Sequence, residues 1–377
     1  MPADMTTAIP QGATGGIRVD LGAVARNWRS LARLVAPAAC AAVVKADAYG
    51  LGAARVVPAL AAAGCETFFV ATQDEGIQVR RLAPAATVYV LGGLAPCAPG
   101  DLLAHDLRPV LSTRDDVAGW AAACRRGQRA AAAGLHVDTG LNRLGLSAAD
   151  VRAFAADPSL LASFTLTLVM SHLACADDPG HAMNARQRQR FLEATALLPQ
   201  ASRSLAASDG LMLGHDFHFD LVRPGYALYG GQAFGGGPTP VEPVVQVASR
   251  ILQVRDVPSG ETVGYSATWT ARGSRRIATI AAGYADGLFR HLSASNDRPG
   301  GVAIVCGTRC PFVGRVSMDL VTLDVTDVPG AEVGRGDVAE LIGPDLPIEA
   351  VGAAAGTIGY EVLTSLSRRF HRAYVGA

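Results

Sequence analysis

One lysine stands where a reactive amine could be made. The stretch "CAAVVKADAYGLG" (40–52) runs through small apolar residues to Lys45, then turns at once through Asp47, Tyr49, Gly50 and Gly52. An ammonium set beside apolar strands is costly to keep charged, and its pKa falls. A lysine held as free amine attacks carbonyls, and an aldimine with a cofactor aldehyde would place that cofactor over a reacting carbon. A lysine that snorkels to solvent is the plain alternative. Asp138, His172, Ser208 and Arg223 also end apolar runs. Any one of these could mark only where a strand meets water; together they read as the mouth of a site. Ser208 and the turn "RPGYALYG" (223–230), with Gly225 and Tyr226, offer a hydroxyl and backbone N–H groups to an anion such as a phosphate.

Such residues need a scaffold that gathers strand ends. Apolar β-type runs end at Lys45, Ala71, Leu91, Ser112, Asp138, His172, Ser208 and Arg223, with helix-permissive segments such as "GAARVVPALAAAG" (52–64) between most of them. Eight alternating units predict an α/β fold, a parallel (β/α)8 TIM-type barrel whose active face lies at the carboxyl ends of its strands. A doubly wound open sheet is the competing arrangement. A Gly/Pro-rich connector, "GQAFGGGPTPVEP" (231–243), leads into short alternating β-type runs separated by turn signals. The expected organisation is a barrel over 16–240 and a mostly β C-terminal domain over 241–377. A strand near 17–21 can join the sheet of the second domain.

Half of the 377 residues are hydrophobic and only 18% are charged, a composition that excludes disorder. The formal net charge is zero, so nothing invites nucleic acid. No apolar run has membrane-spanning length, and "MPADMTTAIPQGATGG" (1–16) lacks the features of a signal peptide. The seven cysteines are scattered without CxxC spacing, as expected of reduced thiols in a cytoplasmic protein. Cys306 and Cys310 have no histidine nearby, so no metal site is expected.

The motif "VVKADAYGLG" (43–52) resembles the pyridoxal 5'-phosphate attachment site of alanine racemases. Resemblances continue, in order, through "HVDTGLNRLGL" (136–146), "SHLACADD" (171–178), "VRPGYALYG" (222–230), "GETVGYSATW" (260–269), "AAGYADG" (281–287), "VGRVSMD" (313–319) and "TIGYEVLTSLSRRFHRAY" (357–374). They cover nearly the whole chain and imply a barrel followed by a β domain, acting as a homodimer with shared active sites. Lys45 would hold the cofactor as an aldimine and serve as base toward the D-enantiomer. Tyr265 would be the opposite base, supplied by the partner subunit. Two bases on opposite faces are what racemisation of an α-carbon requires. Tyr49, Ser208, Gly225, Tyr226 and Tyr360 would bind the phosphate. Arg223 would face the pyridine nitrogen, with His172 hydrogen-bonded to it. Arg143 and Met318 would bind the substrate carboxylate, and Asp177, Tyr284, Arg290 and Arg315 would line the access corridor.

The activity implied is interconversion of L- and D-alanine, supplying D-alanine for peptidoglycan. A preference for serine or a broader range is one alternative, and a non-catalytic pyridoxal-phosphate carrier another. Three positions depart from the family pattern. His136 stands where a carboxylated lysine commonly pairs with the arginine placed at Arg143; Ala207 replaces an asparagine and Ser317 a cysteine.

Overall fold

The computed structural model describes residues 9–232, 240–329 and 333–376. Most of the expected connector, and the first half of the N-terminal stretch 1–16, lie outside the described residues. The chain forms two compact units, one of Val24–Glu242 and one joining the residues up to Ala23 with those from Pro243 onward. No helix among the described residues is long and apolar enough to cross a membrane.

In the first unit, parallel strands Ala42–Val43, Thr67–Val70, Thr87–Val90, Arg108–Leu111, Ala132–His136, Thr165–Met170 and Ser202–Ser204 lie side by side in chain order. The eighth, Leu221–Val222, pairs parallel with Ala39–Cys40. Bonds from Val43 N–H to Pro224 O (2.9 Å) and from Arg223 N–H to Ala206 O (3.0 Å) join it to both ends of the sheet. This closure makes a barrel and removes the open-sheet alternative.

Local sequence sets several of the strand-to-helix turns. Thr72 and Glu75 form a capping box before helix Gln73–Leu82, and Ser147 and Asp150 form another before Ala148–Ala156. Each satisfies N–H groups that a helix start leaves without partners. Phe68, Phe69, Trp120 and Phe191 are fully buried. The strands end earlier than the sequence suggests: Lys45, Asp138 and His172 stand two residues past theirs, and Ser208 opens a short 3-10 turn, Asp209–Leu213. The polar residues are therefore set by the loops just above the strand ends, where the chain is free to aim them.

The second unit is mostly antiparallel. Strand Val245–Val257 is bent by a register shift between Ile251 and Gln253. Its first half pairs with Val338–Ile342 and its second with Arg275–Ile280. With Val302–Val305, Thr308–Val313 and Val321–Asp324 between them, these strands close a small β ring. Gly15–Asp20 pairs with the first half of Val245–Val257 and with His371–Val375, so the N-terminal strand lies in this unit's sheet.

Candidate active site

Lys45 leads directly into a left-handed turn. Ala46, Asp47, Ala48 and Tyr49 have φ of 53, 54, 54 and 56°. Each non-glycine residue in that region costs about 1–2 kcal/mol, because Cβ crowds the following carbonyl. Four in succession persist only where the surroundings over-determine them. Here Asp47 Oδ1 accepts the Ala53 N–H at 2.8 Å, and Glu75 Oε1 accepts the Ala46 N–H at 2.7 Å. Gly50 and Gly52 donate to Ala46 O and Asp47 O. The half-buried Lys45 amine makes no hydrogen bond among the described residues. Its pKa is lowered by burial and by Arg143, against an opposing pull from Glu75. That is the direction a nucleophilic amine needs.

A cradle of polar groups sits beside this turn. Ser208 Oγ accepts the N–H groups of Gly225 (3.0 Å) and Ala227 (3.2 Å), which polarises its own proton toward an anion. A Cβ on Gly225 would stand 2.3 Å from the Tyr49 hydroxyl, so only glycine lets these groups converge. Tyr49 packs on Tyr229 with ring centroids 4.9 Å apart, and burial pushes its pKa up, keeping the phenol neutral. Neutral donors and a cationic rim suit the phosphate and aldehyde of pyridoxal phosphate, so the residues present fit that cofactor.

Arg223 is buried beneath the mouth. Its guanidinium donates to Ser204 Oγ and Ser171 O and lies 5.9 Å from the Phe69 ring centroid. The expected His172 partner is not the one it takes: Ser204 and Ser171 reach it from neighbouring strands and satisfy it there. Burial lowers its pKa to about 9, which leaves it charged at neutral pH. His136 is buried, and His172 half-buried. Burial first, and nearby Arg223 second, hold their pKa values at about 4 and about 3. At neutral pH, position 136 therefore offers Arg143 a neutral imidazole, not a carboxylate. Arg143 itself is exposed, on a loop shaped by Asp138 Oδ1, which accepts the Gly140 and Asn142 N–H groups.

A depressed histidine pKa makes stability fall in acid. The unfolded chain takes up a proton as pH drops through 6.5, while the folded His136 resists until about 4. The contribution is complete above pH 6.5 and is lost on the way down. We expect the melting temperature to fall over this window and a His136→Asn variant to show a shallower fall. Equal slopes would remove the assignment.

Gln187, fully buried, is a site residue that sequence reading missed. Its Nε2 donates to Thr139 Oγ1 and His172 O, and its Oε1 accepts the Ala174 N–H. It ties together the loops after two adjacent strands. In "NARQRQRF" nothing separates it from a solvated helix face.

The second unit carries the other expected residues. Tyr265 is 70% exposed, in a tight segment where Gly264, Ser266 and Ala267 all have positive φ. Met318 is 53% exposed. Its loop is bound to the "AAGYADG" loop, with Tyr284 N–H donating to Ser317 O and Ala285 N–H to Met318 O. Arg369 fastens both loops through Asp286 (3.2 Å) and Asp319 (2.7 Å), a clasp the sequence did not reveal. Arg290 is exposed, Arg315 half-buried, and Tyr360 is the second residue of helix Gly359–Ser365. In the first unit, Asp177 is exposed past strand Thr165–Met170.

Comparison with known proteins covers both units. The model of the alanine racemase N-terminal domain matches residues 19–233 and that of the C-terminal domain residues 244–374. The chain is similar to the alanine racemase of Methylobacterium sp. (strain 4-46), 50% identical across 98% of this chain and 100% of the relative. The alanine racemase of Rhizobium meliloti (strain 1021) is 48% identical, with 97% of each chain covered. Among solved structures, alanine racemase from Bartonella henselae with covalently bound pyridoxal phosphate matches with a TM-score of 0.92. It is 39% identical, covering 96% of this chain and 100% of that one.

Proposed function

The chain belongs to the alanine racemase family, and from that premise we propose that it interconverts L- and D-alanine with pyridoxal phosphate by a two-base mechanism. The observation that carries the reading is the convergence, in one barrel mouth, of the Lys45 turn with the Tyr49, Gly225 and Ser208 cradle.

Lys45 would hold the cofactor until the substrate's amine takes its place, freeing the lysine as a base, and Tyr49, Ser208, Gly225, Tyr226 and Tyr360 would hold its phosphate. Bound pyridoxal phosphate supplies the electron sink that makes the substrate α-proton acidic. Lys45 takes or returns that proton on the face presented by D-alanine. Tyr265 of the partner subunit does so on the face presented by L-alanine. Arg143 and the partner's Met318 backbone N–H orient the substrate carboxylate. Arg223 is cationic and never a proton donor at working pH, so it can hydrogen-bond a ring nitrogen without protonating it. His172 lines the same mouth as a neutral imidazole. Asp177, Tyr284, Arg290 and Arg315 would line the access corridor.

A homodimer is part of this proposal, since the family resemblance implies that the base on the opposite face comes from a second copy. The exposed Tyr265 and Met318 are the kind of surface a partner would cover. We further place the enzyme in the cytoplasm, supplying D-alanine for peptidoglycan. The C-terminal match argues against a cofactor carrier, which has no use for a second base.

The test is to incubate the purified protein with L-alanine and separately with L-serine and follow the D-isomers. Racemisation of alanine in preference to serine is expected. No D-alanine formation in the presence of pyridoxal phosphate would overturn the proposal.

A further inference from the structure

We propose that Glu75 is a positioning residue for Lys45: one carboxylate both starts the next barrel helix and locks the left-handed turn that aims the amine. The inference rests on the role assigned to Lys45 above. Two parts of the fold meet at this side chain. Glu75 Oε2 accepts the N–H groups of Ala71 (2.8 Å) and Thr72 (3.2 Å), closing the capping box of helix Gln73–Leu82. Its other oxygen, Oε1, accepts the N–H of Ala46 at 2.7 Å, the residue directly after Lys45.

A capping glutamate ordinarily serves its own helix alone. Here its second oxygen reaches the neighbouring strand-end loop, at the first of the four left-handed residues. Ala46 cannot choose this backbone conformation by its own preference, because its Cβ penalises it. The charge-assisted bond to Glu75 is what opposes that penalty at the point where the chain leaves the strand. Because the Ala46 N–H belongs to the Lys45–Ala46 peptide, this bond holds that peptide plane and with it the ψ of Lys45, so the Cα–Cβ direction of Lys45 is fixed from its carboxyl side. The preceding residues are fixed by the barrel, since Val43 N–H bonds Pro224 O and Val44 N–H bonds Phe69 O.

Charge supports the same assignment. The groups acting on Lys45 are Arg143, which lowers its pKa, and Glu75, which raises it; His172 feels the lysine in turn. Glu75 thus sets the orientation of the amine and also moderates how far burial depresses it.

Glutamine is not a substitute. If its oxygen keeps the helix cap, its NH₂ faces the Ala46 N–H, donor against donor. If it flips, the cap is lost. Aspartate keeps the charge but is one methylene short of spanning both sides.

The experiment uses the full-length protein stripped of cofactor and measures covalent capture of pyridoxal phosphate at Lys45, trapped with borohydride and read by peptide mass, as a function of pH. Glu75→Gln is expected to slow capture about tenfold, the size of one lost charge-assisted hydrogen bond, and to move the pH midpoint down. Glu75→Asp should slow capture with the midpoint nearly unmoved. Thr72→Ala weakens the same helix cap without touching Ala46; it should lower the melting temperature yet leave capture and midpoint as in the wild type. The proposal fails if Glu75→Gln and Glu75→Asp capture at the wild-type rate, or if Thr72→Ala slows capture equally, since the effect would then be helix capping alone. Absence of capture by the wild-type chain is a different outcome: it overturns the role of Lys45 and this inference with it.

Discussion

Replacing Lys45 by alanine is expected to abolish racemisation in both directions, by about 10⁴-fold or more, because in the proposed mechanism one residue supplies both the covalent hold on the cofactor and one of two proton carriers. The purified variant should lose the visible absorbance of protein-bound pyridoxal phosphate after gel filtration. Loss of fold is not the expected cause. The Lys45 amine makes no hydrogen bond among the described residues, and burial disfavours its charged form. A depressed lysine pKa means that the charge opposes folding at neutral pH, so the alanine variant should melt no lower than the cofactor-free parent, the bound cofactor adding its own stabilisation to the loaded one. Retained cofactor absorbance together with retained turnover would contradict the assignment of Lys45.

Tyr265→Phe is the second large effect. Racemisation should drop by about 10²–10⁴-fold, the usual worth of a positioned acid–base group. L- and D-alanine have equal free energies, so kcat/KM in the two directions must remain equal in any variant. Face selectivity has to be read elsewhere, in exchange of the α-proton with D₂O. D-alanine should continue to exchange through Lys45, while L-alanine should stop. Exchange of L-alanine at the wild-type rate would rule out Tyr265 as its base. Tyr265 is 70% exposed, so loss of its hydroxyl should leave the fold intact. Mixing the two inactive variants tests the shared site. In a randomly reassociated dimer, Lys45 from one chain meets Tyr265 from the other, and about a quarter of the activity should return. No recovery would place both bases in one subunit.

Much of this was legible in the sequence, for physical reasons. Parallel strands buried on both faces must be continuous apolar runs, so "TFFV" and "TVYV" announced themselves, and polar residues closing such runs marked the barrel mouth. The left-handed turn after Lys45 was not legible. Ala46 and Ala48 carry no preference for positive φ and Asp47 only tolerates it, and the bonds to Glu75 and from Ala53 that help to hold it are not written in the local sequence. Glu75 could be read as a cap for its own helix, yet its second partner is 29 residues away in the chain. Gln187 and Arg369 were hidden for the same reason: a polar residue on a helix or tail does not state which loop it will meet. Arg223 was expected to bond His172, but a buried guanidinium takes the nearest well-aimed acceptors, and those are Ser204 and Ser171. The role of Tyr265 came only through family resemblance, since an exposed tyrosine among tight turns has no chemistry of its own.

The strand Gly15–Asp20 sits between Val245–Val257 and His371–Val375, so the barrel residues Val24–Glu242 interrupt the unit that both chain ends complete. During synthesis the barrel has all its strands long before the other sheet does. Gly15–Asp20 must wait, an unpaired edge, while more than two hundred residues emerge before its first neighbour. Its second edge is closed by His371–Val375, later still. Pairings so distant in sequence are slow to form and open to mispairing while they wait. The unit that carries Tyr265 is therefore the last to assemble, and the base proposed there becomes available only after Lys45 is already in place.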